Sequence, residues 1–265
     1  MIDLFEAVNA HSLACEHPDA SEQSLTHAAL GGSNRDVTQT EKPARRSRKA
    51  DQRAETMEQI YDAAEELFSK HGLHGVTLKD VAKQVGVHHT LLNYYFADKK
   101  ALFDAVIARR APVTVERRMS ALDAYEQAAA GNITVEGALH AFLDTDLDLY
   151  LSGGEGWRNW GALGGQLSNT PYGAELMDEH FDPVVLRLID LLKRAMPETP
   201  AEDIFWGYHF VTGGLLLTLA RTGRIDRLSD GLCRSDDFAA IKLRMARFMA
   251  AGFRELCADH AGRGD

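Results

Sequence analysis

Cysteine is scarce in this chain: Cys15, Cys233 and Cys257 are three residues in 265, an odd and scattered set. That excludes a disulfide framework and fits free thiols in a reducing cytoplasm. Long apolar runs are absent, since none approaches the roughly 20 residues that cross a bilayer as a helix. The start, MIDLFEAVNAHSLACEHPDA, has no basic segment followed by an apolar one, so no secretory signal is read there. Catalytic patterns are missing as well. No serine sits in a nucleophile elbow, and no pair of acids stands out for general acid–base work. The glycines of SGGEG and TGGLL lack the lysine and strand context of a phosphate loop. His71 and His74 straddle Gly72 with no cysteine or carboxylate at metal-ligand spacing. No catalytic residue, metal or cofactor is therefore expected.

Basic charge is also in short supply, but unevenly. The net charge is -10. Residues 1–44 carry two basic and seven acidic side chains, residues 111–265 carry fifteen and twenty-three, and residues 45–110 alone reverse the balance with twelve and nine. Arg45, Arg46, Arg48, Lys49 and Arg53 crowd the front edge of that positive segment. Such a patch gains affinity for phosphates by counterion release, while the acidic remainder repels misdocking.

What is present in the positive segment is a pattern of short helices. Thr77 can cap a helix whose first turn carries Asp80. Leu78, Val81, Ala82 and Val85 recur at i, i+3, i+4 and i+7, one apolar face. Gly86 then stands where a left-handed backbone ends a helix. His88 to Tyr95 form a second short helix, with Leu91, Leu92 and Tyr95 facing inward and His89, Thr90, Asn93 and Tyr94 outward. Asp98 can cap the next helix, which carries Leu102, Phe103, Val106 and Ile107. Upstream, roughly Ala54 to His71, Met57, Ile60, Tyr61, Ala64, Leu67 and Phe68 share a face, and Gly72 ends the helix. Three helices around a small core, with the last as reader, make a helix-turn-helix, which places one helix in the major groove of duplex DNA.

The ordered set AAEELFSKHG, GVTLKDVAKQVGV and LLNYYFADKKALF resembles the tetracycline-repressor (TetR) family of transcriptional regulators over about Met57 to Phe103. The resemblance implies an all-α fold with an N-terminal three-helix helix-turn-helix domain and a C-terminal helical ligand-binding and dimerisation domain. Residues 1–44 are then a disordered extension, 45–97 the DNA-binding domain and 98–265 the effector-binding and dimerisation domain. The expected partners are double-stranded DNA with a pseudo-palindromic operator, a second copy of the chain, and an apolar small-molecule effector. No membrane is expected, and the cytoplasm is the expected location. Candidate DNA contacts are Arg45, Arg46, Arg48, Thr77, His89, Thr90, Asn93, Tyr94 and Lys99. Asn93 can pair with adenine at two points and His89 can reach base edges, whereas Thr77 and Lys99 meet phosphates and set position. The family commonly has tyrosine where Asn93 stands and a serine or threonine cap where His88 stands, so the chain departs from the family at both positions.

Beyond Ala111 the chain reads as helical throughout. Pro112 interrupts or starts a helix running to Ala129. Helices follow over Thr134 to Leu151, Trp157 to Ser168, Pro171 to Ala195 with a break near Asp182-Pro183, Ala201 to Thr222, and Asp236 to Asp259, with a loop at Ser152 to Gly156. The last two long helices mix large apolar residues with small ones: Gly207, Gly213, Gly214, Thr218 and Ala220, then Ala239, Ala240, Ala246, Ala250 and Gly252. In the family these two helices form a four-helix dimer interface; the plainer reading packs them within one chain. Phe142, Leu147, Trp157, Trp160, Leu163, Leu167, Phe181 and Phe210 are the candidate effector-binding residues, an apolar pocket on the family reading and ordinary core otherwise. HFDPVV and YHFVTGGLLLTLARTGRIDRLSDG resemble the fatty-acid-responsive (PsrA-like) branch, which implies an acyl chain or acyl-CoA as effector. Two other classes stand beside a ligand-responsive regulator: a helical adaptor or small-molecule-binding protein without specific DNA binding, and, last, an enzyme.

Overall fold

Ten helices and no strand make up the described part of a computed structural model, which covers residues 41–168 and 170–261, with side chains from 48 to 256 apart from 169. The fold is all-α, as the periodicities predict. The readings for residues 1–40, including any helix near Ile2 to Val8, lie outside the described residues, as do the thiols of Cys15 and Cys257, whereas residues 41–44, read as the end of a disordered extension, belong to the first helix. Cys233 is exposed and free. From Arg48 onward the chain forms one compact unit.

Helix α1 (Glu41–His71) begins earlier than the apolar pattern indicates. It buries Ile60, Ala63, Ala64 and Phe68. Gly72, at φ +69°, ends it in the left-handed conformation. Helix α2 (Leu78–Val85) and helix α3 (His89–Tyr95) follow. Their core partners are Val76, Val81, Ala82, Leu92 and Phe96. The rings of Phe68 and Phe103 meet edge to face at 5.0 Å, joining α1 to the next helix. Each fully buried side chain of this size adds about 1.5–3 kcal/mol, which lets so short a helix as α3 hold its shape.

Helix α4 (Lys99–Ala129) is capped by Asp98, which accepts from the Ala101 N–H at 2.8 Å. It runs unbroken through Pro112. That corrects the interruption expected there: a proline inside a helix costs about 3 kcal/mol, and the buried series Leu102, Phe103, Val106, Ile107, Ala111, Thr114, Arg118 and Leu122 outweighs it. The 31-residue helix is about 45 Å long and contributes to the core of both halves of the unit.

Helix α5 (Val135–Ser152) is capped by Thr134, the residue at which the sequence reading begins it. Helix α6 (Gly154–Leu167) takes in most of the expected loop at 152–156. Helix α7 (Pro171–Ala195) is continuous through Pro183, again held by burial on both sides, at Phe181 and Val184. Helix α8 (Ala201–Leu219) ends in a loop that contains the one-turn helix α9 (Arg224–Leu228). Helix α10 (Phe238–Ala261) packs mainly on α5, and also on α8. No described helix is long and apolar enough to cross a membrane.

Candidate nucleic-acid interface and sensor core

The reader is built by two caps. Thr77 and Asp80 form a reciprocal capping box: Thr77 Oγ1 accepts from the Asp80 N–H at 3.2 Å, and the Thr77 N–H donates to Asp80 Oδ2 at 2.9 Å. The Thr77 hydroxyl also donates to that carboxylate, so these bonds hold the Asp80 carboxyl below its ordinary range. Gly86 lies at φ 78°, and the N–H groups of Gly86 and Val87 both return to the Ala82 carbonyl at 3.0 Å. His88 caps α3, accepting from the Thr90 N–H through Nδ1. A histidine thus fills the cap position that serine or threonine commonly holds.

The faces of α3 divide as the pattern predicts. Leu92 is buried, with Leu91 and Tyr95 half-buried. Thr90, Asn93 and Tyr94 are exposed and His89 is half-buried, and Tyr94 reaches 77% exposure. Arg53 of α1 lies 5.0 Å over the Tyr95 ring, bracing α3 from behind. Arg48 and Thr77 are exposed. Arg45 and Arg46 fall within the backbone of α1, and their side chains lie outside the described ones. Lys99 has a task the sequence does not reveal. Its Nζ donates to the carbonyls of His74 and Val76 at 3.4 and 3.3 Å, tying the α1–α2 turn to the start of α4.

Reader and sensor are joined by side chains as well as by α4. Glu65, on α1, is buried and accepts from Arg109 and Arg110 of α4. Arg110 lies 4.7 Å over the Trp157 ring of α6. Gln166 of α6 donates to the Ser69 carbonyl, and Tyr172 of α7 donates to Asp104 of α4.

Of the eight candidate effector residues, six sit together in the core: Phe142, Leu147, Trp160, Leu163, Leu167 and Phe181. Trp157 is half-buried beneath Arg110. Phe210 is elsewhere. It is 59% exposed on the outer face of α8, stacked on Trp206 at 6.1 Å between ring centres. Phe205, Trp206, Phe210 and Leu217 of α8 and Leu243 and Phe248 of α10 are all exposed, and Trp206, Phe210 and Leu217 share one face of α8. The small residues divide accordingly. A Cβ at Gly207 would strike the Phe253 ring at 2.3 Å, so that glycine serves packing within the chain, whereas Gly213 and Gly252 open onto free space.

The sensor core holds polar groups the sequence reading passed over. Arg118 of α4 donates to Asp146 of α5, both buried. Arg118 also lies 4.2 Å over the Phe142 ring and 5.9 Å from that of Phe181. Trp160 Nε1 donates to Thr114 Oγ1 at 3.1 Å. Burial pushes the Asp146 carboxyl up, opposed by the Arg118 guanidinium. Burial, reinforced by Asp146, raises the Tyr150 phenol well above its ordinary value. A signal was there to find: Asp146 is a lone carboxylate inside the apolar stripe Leu139, Phe142, Leu143, Leu147, Tyr150, and Arg118 shares a face with Ala111, Thr114 and Leu122.

A capped helix-turn-helix presenting an exposed polar face on α3, set before a larger helical core, is the architecture of a DNA-binding transcriptional regulator. Residues 60–106 match the model for bacterial regulatory proteins of the tetR family, and residues 140–252 match that for the tetracyclin repressor-like C-terminal domain. The chain belongs to the TetR family of DNA-binding transcriptional regulators, which are not enzymes. Among its relatives is the HTH-type transcriptional regulator BetI of Escherichia coli, 24% identical over 166 residues, 63% of this chain and 83% of that protein. A similar fold occurs in a mutant of HlyIIR, 18% identical with a TM-score of 0.50, covering 74% of this chain and 95% of that one. It occurs also in a TetR-like transcriptional regulator from Rhodococcus sp. RHA1, 20% identical with a TM-score of 0.50, covering 74% and 96%.

Proposed function

We propose that this chain is a cytoplasmic, homodimeric repressor that leaves a pseudo-palindromic operator when an apolar effector enters the core between α4 and α8. Thr90, Asn93 and Tyr94, with His89 at their edge, read bases, and Arg48, Thr77 and Lys99 meet phosphates, as do Arg45 and Arg46 of α1. The observation that carries the reading is the single helix α4. Its first turns bury Leu102, Phe103 and Val106 beneath the reader, and its later turns bury Arg118 and Leu122 in the sensor core. A shift of α4 on effector binding therefore moves the reader directly.

The dimer rests on the exposed face of α8 and α10. Trp206, Phe210 and Leu217 with Gly213 on α8, and Phe248 with Gly252 on α10, are exposed positions that two helices of a second copy would cover. Two readers then stand about 34–36 Å apart, one DNA turn. The coupling required is modest, about 1–3 kcal/mol. For the effector, the likeness of the C-terminal segment to fatty-acid-responsive regulators supports an acyl chain.

The test is binding to a DNA fragment from upstream of the protein's own coding region, at two salt concentrations, with and without long-chain acyl-CoA. Specific, salt-sensitive binding that is lost on adding ligand supports the whole reading. Specific binding indifferent to every apolar ligand tried would remove the switch and leave a constitutive DNA reader.

A further inference from the structure

The C-terminal core carries two polar atoms buried among apolar side chains. Among the described residues, neither Arg118 Nε nor Asp146 Oδ1 meets a hydrogen-bond partner, although both are sealed from solvent. Arg118 Nη2 and Asp146 Oδ2 are engaged with each other. Burying a donor and an acceptor in this state is costly, and natural cores rarely leave such atoms unmatched without a reason in function. The surroundings point to a ligand. Arg118 lies between the rings of Phe142 on α5 and Phe181 on α7, and Thr114, one turn away on α4, holds Trp160 of α6. The rings of Phe142 and Phe181 thus flank a charge-balanced pair on α4 and α5, with Trp160 held one turn away.

We infer that Arg118 and Asp146 form the polar end of the effector site and select an uncharged ligand head that both accepts and donates a hydrogen bond, carried on an apolar body. This rests on the switch and the apolar effector of the proposed function, and assigns that effector an uncharged head in place of the carboxylate or CoA thioester of an acyl ligand. The head's acceptor takes the Arg118 Nε proton in a hydrogen bond, and its donor meets Asp146 Oδ1; a primary amide or an alcohol has both. Charge decides the class. The pair is already neutral overall, so a carboxylate would add a buried negative charge beside Asp146 and an ammonium a positive one beside Arg118, each strongly unfavourable without a partner. An ester supplies the acceptor but leaves Asp146 Oδ1 unmet.

The test compares decanamide, decanoate and methyl decanoate, equal in chain length, by calorimetric titration of the full chain at mildly alkaline pH. The amide is expected to bind at least about tenfold more tightly than either of the others. A single substitution would leave one buried charge alone and endanger the fold, so the control replaces both residues, Arg118→Met with Asp146→Leu. That variant is expected to keep its DNA binding and to lose the preference for the amide. Equal or tighter binding of decanoate, or a preference that survives in the double variant, overturns the inference. So does failure of all three to bind. Release of DNA by some other ligand in that last case would leave the proposed function standing.

Discussion

Arg110 donates to Glu65 through two hydrogen bonds, at 2.9 and 3.2 Å, from the opposite side of the junction between reader and sensor. The carboxylate is 1% exposed, so almost no water competes for it. Arg109 reaches the same oxygen at 3.1 Å and also holds Glu58 and Asp62 on the rim of α1. Glu65 is the buried point at which α1 is fastened to α4, and through Arg110 to Trp157.

Replacing Glu65 with alanine strips Arg110 of its main partner. Removing one member of a buried pair costs about 3–5 kcal/mol, and since Arg109 keeps Glu58 and Asp62, the lower end is expected. Urea unfolding of Glu65→Ala measures it. A loss under about 1 kcal/mol would mean the contact behaves like an ordinary surface pair.

The reader face makes two contrasting mutants. Asn93→Ala is expected to cost about 1–3 kcal/mol on the specific site and to relax sequence preference. Lys99→Ala is expected to weaken all sequences alike, lower the salt slope by about one, and reduce the melting temperature, because Lys99 also holds the carbonyls of His74 and Val76. Titrations on matched and scrambled duplexes at several salt concentrations separate the two. Unchanged preference in Asn93→Ala would remove it as a reader.

Phe248 is 75% exposed on the apolar face of α10. Phe248→Glu places a charge where a second copy would pack. Sedimentation is expected to show a monomer that melts like the parent chain's folded core yet binds the operator far more weakly. A variant that still sediments as a dimer would move the interface elsewhere.

Acid should loosen the packing of α4 on α7. Arg187 first, then Arg194, hold the Glu126 carboxyl below its ordinary range. A lowered folded value means the contribution is present above the unfolded value, about 4.3, and is lost as pH falls through the folded one. Glu66, held down by Lys70, acts in the same direction. Asp146 acts oppositely: with its folded value raised, its contribution is present at low pH and lost as pH rises. The stability of Glu126→Gln, followed from about pH 6 to about pH 3, is expected to fall less steeply than that of the unaltered chain. Superimposable profiles would assign the acid loss to other groups.

The reader was legible because its signals are local. Thr77, Asp80, Gly86 and Asp98 act within one turn of themselves, and each does what its residue type favours. The prolines misled for the opposite reason: at Pro112 and Pro183 long-range burial overrides a local cost, and no short window of sequence contains that burial. The early start of α1 was hidden because its polar first turns carry no apolar period. In the sensor, the apolar stripes identified core but not its polar centre. Arg118 and Asp146 are 28 residues apart, and only the packing of α5 on α4 brings them together. Phe210 belongs to a different surface from the other candidate effector residues because α8 is apolar on both faces, and composition alone cannot say which face looks outward.

Selection from random duplexes, followed by footprinting of the enriched site with the full chain and with Asn93→Ala, tests the central claim most directly. Expected is a two-fold-symmetric sequence, protected on two half-sites about one helical turn apart, whose enrichment fades in the Asn93 variant. A pool that stays random while the chain remains folded would contradict sequence-specific DNA recognition by α3.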